Sequence, residues 1–224
     1  MAKSHEKTPS TKSRGQGRFH IEFKNATQKL AWAGFQQNDI LFLCGPAGVG
    51  KSYLAIAFAI NEVLQKNKKR IILTRPIVES GESLGYLPGD FHEKVNPYMM
   101  PLYDCIKKLV GDNNPQRDII NAAIEVAPLA YLRGRTFDDA VCILDESQNC
   151  SMMQMKLFLT RFGEDSKIII TGDPTQSDLG GAQVALSDVI YRLENVPGIG
   201  IVKFDNESIV RHPLVGKILD RLGE

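Results

Sequence analysis

The chain has 224 residues, 43% hydrophobic and 24% charged, with a formal net charge of +1. That length holds one α/β core with some decoration and is short for two full domains. No apolar run approaches the ~20 residues of a membrane span, and the first residues lack the apolar stretch of a secretory signal. A near-neutral balance does not announce a nucleic-acid binder, so any such reading must come from motifs. No membrane association is expected, and the expected location is the cytoplasm of a bacterium or of a phage-infected cell.

Residues 1–18, MAKSHEKTPSTKSRGQGR, carry five basic side chains against one acid and almost no large apolar residue. They read as a disordered basic tail ahead of a folded domain spanning 19–224. Ile40–Cys44 is a continuous apolar run ending in glycines, the pattern of a fully buried parallel strand. Lys51 to about Gln65 repeats apolar residues at helical spacing, and Arg70–Thr74 reads as a second strand. The stretch from Pro76 to about Asn121 is broken by Pro and Gly and holds some helical segments. Val141–Asp145 and Lys167–Thr171 are two further buried strands, and Ile199–Phe204 reads as a last one. Strands alternating with helices predict a parallel sheet with helices on both faces. Cys44 and Cys142 lie inside apolar strands and read as small buried hydrophobes; no Cys or His pair has metal-ligand spacing.

Gly45-Pro46-Ala47-Gly48-Val49-Gly50-Lys51-Ser52 fits GxxxxGK[ST] and sits between a predicted strand and a predicted helix. Glycines let the backbone curl so that its N–H groups face phosphate, and the helix that follows adds its positive end. Lys51 is expected to reach the β- and γ-phosphates of ATP and Ser52 to ligate Mg²⁺, with Tyr53 adjoining the cradle. Asp145 and Glu146 close another buried strand, at the carboxyl edge where α/β sheets bind ligands. Asp145 suits the hydration shell of Mg²⁺, and Glu146 can polarise the attacking water. A catalytic Glu directly after the metal Asp points to the P-loop division with an extra strand between the P-loop strand and the metal strand. Lys167–Thr171 is the candidate for that strand. Its tip continues into Gly172-Asp173-Pro174-Thr175-Gln176, where Gln176 is placed to sense the γ-phosphate and position water, or sits idle beyond a Gly-Asp-Pro turn.

In this order, GPAGVGKS, TRPIVESGESLGYLPGD, EVAPLAYLRGRTF, ILDESQN, TGDPTQSDL and VRHPLVGKIL resemble the PhoH family of ATPases over about residues 20–222. That family is related to the ATP-binding half of superfamily-one helicases, and the resemblance implies a single RecA-like domain. Two departures are mild: Val49 and Ser52 stand where Thr is common, and Ser147 where Ala is common. The resemblance implies three further assignments. Gln28 falls where related helicases place a glutamine that pairs with adenine, with an exposed helical glutamine as the rival. Arg211 matches an arginine expected near the γ-phosphate, acting within its own subunit or on a neighbour's ATP. Arg75, Arg133 and Arg135 fall where related helicases grip a nucleic-acid backbone, or serve as structural ion-pair partners.

The reading that follows is Mg²⁺-dependent ATP hydrolysis coupled to RNA or single-stranded DNA. Related helicases clamp ATP between two RecA-like domains, and this chain has room for one. A homo-oligomer is therefore expected, a hexameric ring being its expected form, with ATP at subunit interfaces. Two alternatives stay open at this point: a P-loop small-molecule kinase, and a nucleotide-switched scaffold with little turnover. The kinase reading lacks an Arg-bearing lid, since Pro76–Asn121 contains Arg117 as its one arginine.

Overall fold

The structure, a computed structural model, describes residues 19–77, 91–176, 185–208 and Arg221. Six strands form one sheet in the order β3-β2-β4-β5-β1-β6. They are β1 Ile40–Cys44, β2 Arg70–Arg75, β3 Ile124–Pro128, β4 Ala140–Leu144, β5 Lys167–Gly172 and β6 Ile199–Lys203. Every pairing is parallel. Parallel neighbours need crossover segments, and helices supply most of them. These are α1 Ala26–Gln37, α2 Lys51–Leu64, α3 Phe91–Val110, α4 Arg117–Ala123, α5 Met152–Leu159 and α6 Ala185–Leu193.

Alternate strand residues feed two cores, one on each side of the sheet. Leu41, Leu43, Ile71, Leu73, Val141, Ile143 and Ile169 point to the face covered by α1, α2, α3 and α4. Phe42, Cys44, Ile72, Cys142, Leu144, Ile168 and Ile170 point to the face covered by α5 and α6. A strand buried on both sides has no polar alternation to show, which is why these runs are uninterrupted in the sequence. Cys44, Cys142 and Cys150 are buried in the second core, as small apolar residues would be.

Two elements depart from the expected pattern. The edge strand β3 was not predicted: Glu125 and Pro128 interrupt its apolar character, and its first three residues are only half-buried. Pro76–Asn121 is expected to hold helical segments broken by Pro and Gly, and helices are there, but α3 runs for 20 residues straight through Pro97 and Pro101. Both prolines lie on the exposed side, while Met99, Leu102, Ile106 and Val110 face the core. Residues 1–18, the expected basic tail, lie outside the described residues.

Phe58 of α2 anchors the first core. Its ring lies 5.0 Å from Trp32, 5.4 Å from Phe35 and 6.5 Å from Phe23. Truncating a fully buried aromatic removes its transfer energy and leaves a cavity. Phe58→Ala is expected to cost about 3–5 kcal/mol. A urea titration checks this: the midpoint should fall while the slope stays unchanged.

Candidate active site

The loop between β1 and α2 turns at glycines because no other residue fits. Gly45 has φ +147°, and a Cβ there would stand 2.5 Å from the Phe204 carbonyl oxygen. Gly50 caps α2 in the left-handed region at φ +90°. Gln28, at the start of α1, braces the loop from behind: its Nε2 donates to the Val49 carbonyl at 3.0 Å, and its Oε1 accepts from the Lys24 N–H at 2.8 Å. Lys51 lies folded over the loop, its Nζ donating to the carbonyls of Gly45 at 2.6 Å and Pro46 at 2.8 Å. Burial lowers the proton affinity of this ammonium, and the carboxylates of Glu146, Asp173 and Asp145 oppose that effect.

Asp145 is 3% exposed at the end of β4. Its Oδ1 accepts from the Ser52 hydroxyl at 2.5 Å and from the Thr171 hydroxyl at 2.6 Å. One carboxylate oxygen thus joins the start of α2, the end of β4 and the end of β5. The next residue, Glu146, sits in the left-handed region at φ +53°, costly for a residue with a Cβ. Its Oε2 accepts from Gln148 Nε2 at 2.5 Å, and its Oε1 stands 3.5 Å from Arg75 Nη2. Gln148 in turn accepts the Asp173 N–H at 3.1 Å. Asp173 is buried; its Oδ1 takes the N–H and hydroxyl of Thr175 at 2.9 and 2.7 Å. Its Oδ2 has no hydrogen-bond partner among the described residues. Lys51, Ser52, Asp145, Glu146, Asp173 and Gln176 all line a cleft of about 330 Å³, a volume at the low end for ligand sites.

β5 lies between the P-loop strand β1 and the acid-bearing strand β4. This order is that of a RecA-like domain, and it places the strand expected at Lys167–Thr171 where it was predicted. The profile of the family described as PhoH-like protein matches residues 20–222. The chain belongs to the PhoH-like family.

Among curated relatives, a PhoH-like protein of Bacillus subtilis is 49% identical over 201 residues, 89% of this chain and 63% of that protein. Protein PhoH of Escherichia coli K12 is 42% identical over 200 residues, 88% of this chain and 56% of that protein. The chain therefore spans about six-tenths of the length of these curated relatives. Among solved structures, Pif1 helicase from Candida albicans aligns at 15% identity with a TM-score of 0.45, over 90% of this chain and 43% of that one. A Sulfolobus solfataricus SWI2/SNF2 ATPase core aligns at 13% identity with a TM-score of 0.43, over 74% of this chain and 33% of that one.

Within this PhoH-like domain, most of the residues expected around phosphate and metal share one cleft; Gly45, Pro46 and Val49 do not line it. Gln176 is exposed at its rim and Tyr53 is half-buried in its wall. Gln28 is not the exposed helical residue of the rival reading: it is 4% exposed, and both ends of its amide are held by backbone. Arg75 reaches the cleft through Glu146. Arg133 is exposed, just beyond the 3₁₀ turn Leu129–Leu132 that follows β3. Arg135 forks Glu125 at 2.5 and 2.8 Å and lies over the Phe137 ring at 4.7 Å. Its hydrogen bonds hold the Glu125 carboxyl below the usual carboxylate range. Arg211 lies outside the described residues. The parts that sequence reasoning passed over are Thr171, Gln148 and Asp173, each within or next to a motif that had been noticed for another residue.

The donor set suits Mg²⁺. Among the described residues no group of three or more His, Cys, Asp or Glu converges to hold a metal ion. Ser52 Oγ and Asp145 Oδ1 do converge in the cleft. One hydroxyl and one carboxylate, completed by water and phosphate oxygens, is how Mg²⁺ is commonly held beside nucleotides.

Thr171→Val keeps the shape of the strand tip and removes a donor to a buried carboxylate. Hydrogen bonds to charged groups are worth about 1.5–3 kcal/mol. The variant is expected to lose stability in that range, read as a lowered midpoint in chemical denaturation.

Proposed function

We propose that this PhoH-like chain binds ATP with Mg²⁺ and hydrolyses it, and that hydrolysis is coupled to binding RNA or single-stranded DNA. The observation that carries the first half is the Ser52–Asp145 hydrogen bond at 2.5 Å, across 93 positions of sequence, in the cleft that also holds Lys51 and Glu146. The N–H groups of the P-loop and the amino end of α2 bind phosphate. Lys51 neutralises charge on the transferred group. Mg²⁺, when bound at Ser52 and Asp145, would supply charge neutralisation on the phosphate oxygens. Glu146 accepts a proton from water, and Gln176 at the rim orients that water.

Lys51→Ala is expected to weaken nucleotide binding and abolish turnover. Glu146→Gln is expected to bind ATP still while hydrolysis falls by roughly 10²- to 10⁴-fold. Fluorescent-nucleotide titration and phosphate release, measured on both variants, separate these roles. Near-normal turnover by Lys51→Ala would sink the P-loop assignment.

The nucleic-acid half is supported by Arg75 at the carboxyl end of β2, on the same edge of the sheet as the cleft, and by the exposed Arg133 just beyond the 3₁₀ turn that follows β3. Contact with a phosphate backbone is salt-dependent. Arg133→Ala should weaken binding of single-stranded RNA or DNA and flatten its dependence on salt concentration. Anisotropy titrations across a salt series measure both, and an unchanged slope would remove Arg133 from the contact.

A cleft on a single sheet needs a second wall, and the assembly proposed for it is a homo-oligomer, a hexameric ring, with Arg211 reaching the ATP of a neighbour. An arginine at the γ-phosphate is worth about 10³- to 10⁵-fold in rate. Arg211→Ala and Lys51→Ala proteins should each be nearly inactive and regain part of the turnover when reassembled together. No recovery in verified mixed oligomers would exclude action in trans.

A further inference from the structure

Arg75 ends β2, where Thr74 is level with Leu144 of β4 and the Thr74 carbonyl accepts the Asp145 N–H at 2.9 Å. This register brings Arg75 level with Asp145, one residue before Glu146. The two oxygens of that carboxylate each face a donor of the same chain: Oε2 takes Gln148 Nε2 at 2.5 Å, and Oε1 faces Arg75 Nη2 at 3.5 Å. The left-handed backbone at Glu146 is fixed by the turn, so what remains adjustable is the side chain and its partners.

Another arginine–carboxylate pair, one of three more among the described residues, allows a comparison. Arg135 grips Glu125 with two hydrogen bonds, at 2.5 and 2.8 Å, and stacks on Phe137. That is a structural fork. Arg75 makes one contact with Glu146, too long for a hydrogen bond, and its side chain is 24% exposed against 36% for its partner. Solvent screens such a pair, and its hold amounts to a factor of no more than about five in population. A phosphodiester offers a guanidinium two oxygens at hydrogen-bonding distance and competes well for it.

We propose that Arg75 restrains Glu146 while no strand is bound, and that a nucleic-acid phosphate reaching Arg75 draws the guanidinium off that carboxylate. Glu146 Oε1 is then free to take a proton from water. The water oxygen bonds to the γ-phosphorus, the bond from that phosphorus to the bridging oxygen of ADP breaks, and the proton leaves Glu146 with the released phosphate. Arg75 is thus a positioning residue that acts through Glu146. This inference rests on the hydrolytic and strand-binding reading above.

The experiment measures ATP turnover of the intact chain with no strand, with poly(U) RNA and with oligo(dT) DNA. The proteins are wild type, Arg75→Ala, Arg75→Lys, Glu146→Gln and the Arg75→Ala/Glu146→Gln double variant. Arg75→Ala is expected to raise strand-free kcat about two- to five-fold with KM for ATP unchanged, and to lose most stimulation by strands. Arg75→Lys keeps a charge and should stay near wild type, which guards against a folding defect. The rise should vanish in the double variant, because the effect passes through Glu146. A fall in strand-free kcat for Arg75→Ala would show that the arginine assists the base and overturn the restraint. Unchanged kcat with weaker strand binding would reduce Arg75 to a simple contact and overturn it as well. If wild type is stimulated by neither strand while Arg75→Ala still turns over faster, the strand-binding reading fails and the restraint on Glu146 stands. If Glu146→Gln turns over normally, the assignment of the base fails, and the inference fails with it.

Discussion

A carboxylate almost wholly removed from water must be met by donors, or its desolvation goes uncompensated. Asp145 meets this with two hydroxyls that come from other elements, Ser52 at the start of α2 and Thr171 near the end of β5. Both reach one oxygen, so all three residues must lie within a few ångströms. That requirement constrains the sheet. Ser52 follows β1, Thr171 lies on β5 and Asp145 follows β4, and these strands are consecutive neighbours in the order β4-β5-β1. Were β5 not inserted between them, Thr171 could not reach the acid, and the P-loop would sit against a different strand tip.

The same edge collects other polar groups that the two apolar cores cannot accept. Thr74, Ser147 and Asp173 each keep a buried side-chain oxygen with no hydrogen-bond partner among the described residues. They cluster at the carboxyl ends of β2, β4 and β5, and only there does the described core leave such atoms. Unpaired buried polar atoms are costly, and native structures hold few of them. Their concentration around one cleft, beside a strained Glu146 and a half-buried ammonium, is what a site organised for a charged ligand looks like.

The central strands were legible because burial on both faces leaves an uninterrupted apolar run, and β1, β2, β4 and β5 all have one. The P-loop was legible because its glycines answer to geometry: a Cβ at Gly45 would collide with the Phe204 backbone. β3 was hidden by its place at the edge, where one side needs no apolar cover and Glu125 can take Arg135. α3 was hidden by two prolines that cost less on an exposed side than their count suggests. Pair partners are harder still. Nothing in the spacing of Gln28 says that its amide braces the P-loop from behind, because that contact depends on how α1 crosses the sheet.

The arginines show how far residue type alone can carry an assignment. Arg75, Arg133 and Arg135 read alike in the sequence, each a cation in a motif that resembles a nucleic-acid grip. The fold gives them three different surroundings. Arg135 is held by a bidentate partner and an aromatic ring, so drawing it away would break two hydrogen bonds to Glu125. Arg133 faces solvent. Arg75 lies between these cases, near enough to Glu146 to influence it and too loosely held to be fixed by it. A contact that controls a reaction has to be breakable by the ligand it senses, and a fork such as Arg135–Glu125 is too secure for that. The long single contact at Arg75 meets the condition, and it does so on the carboxylate proposed as the base.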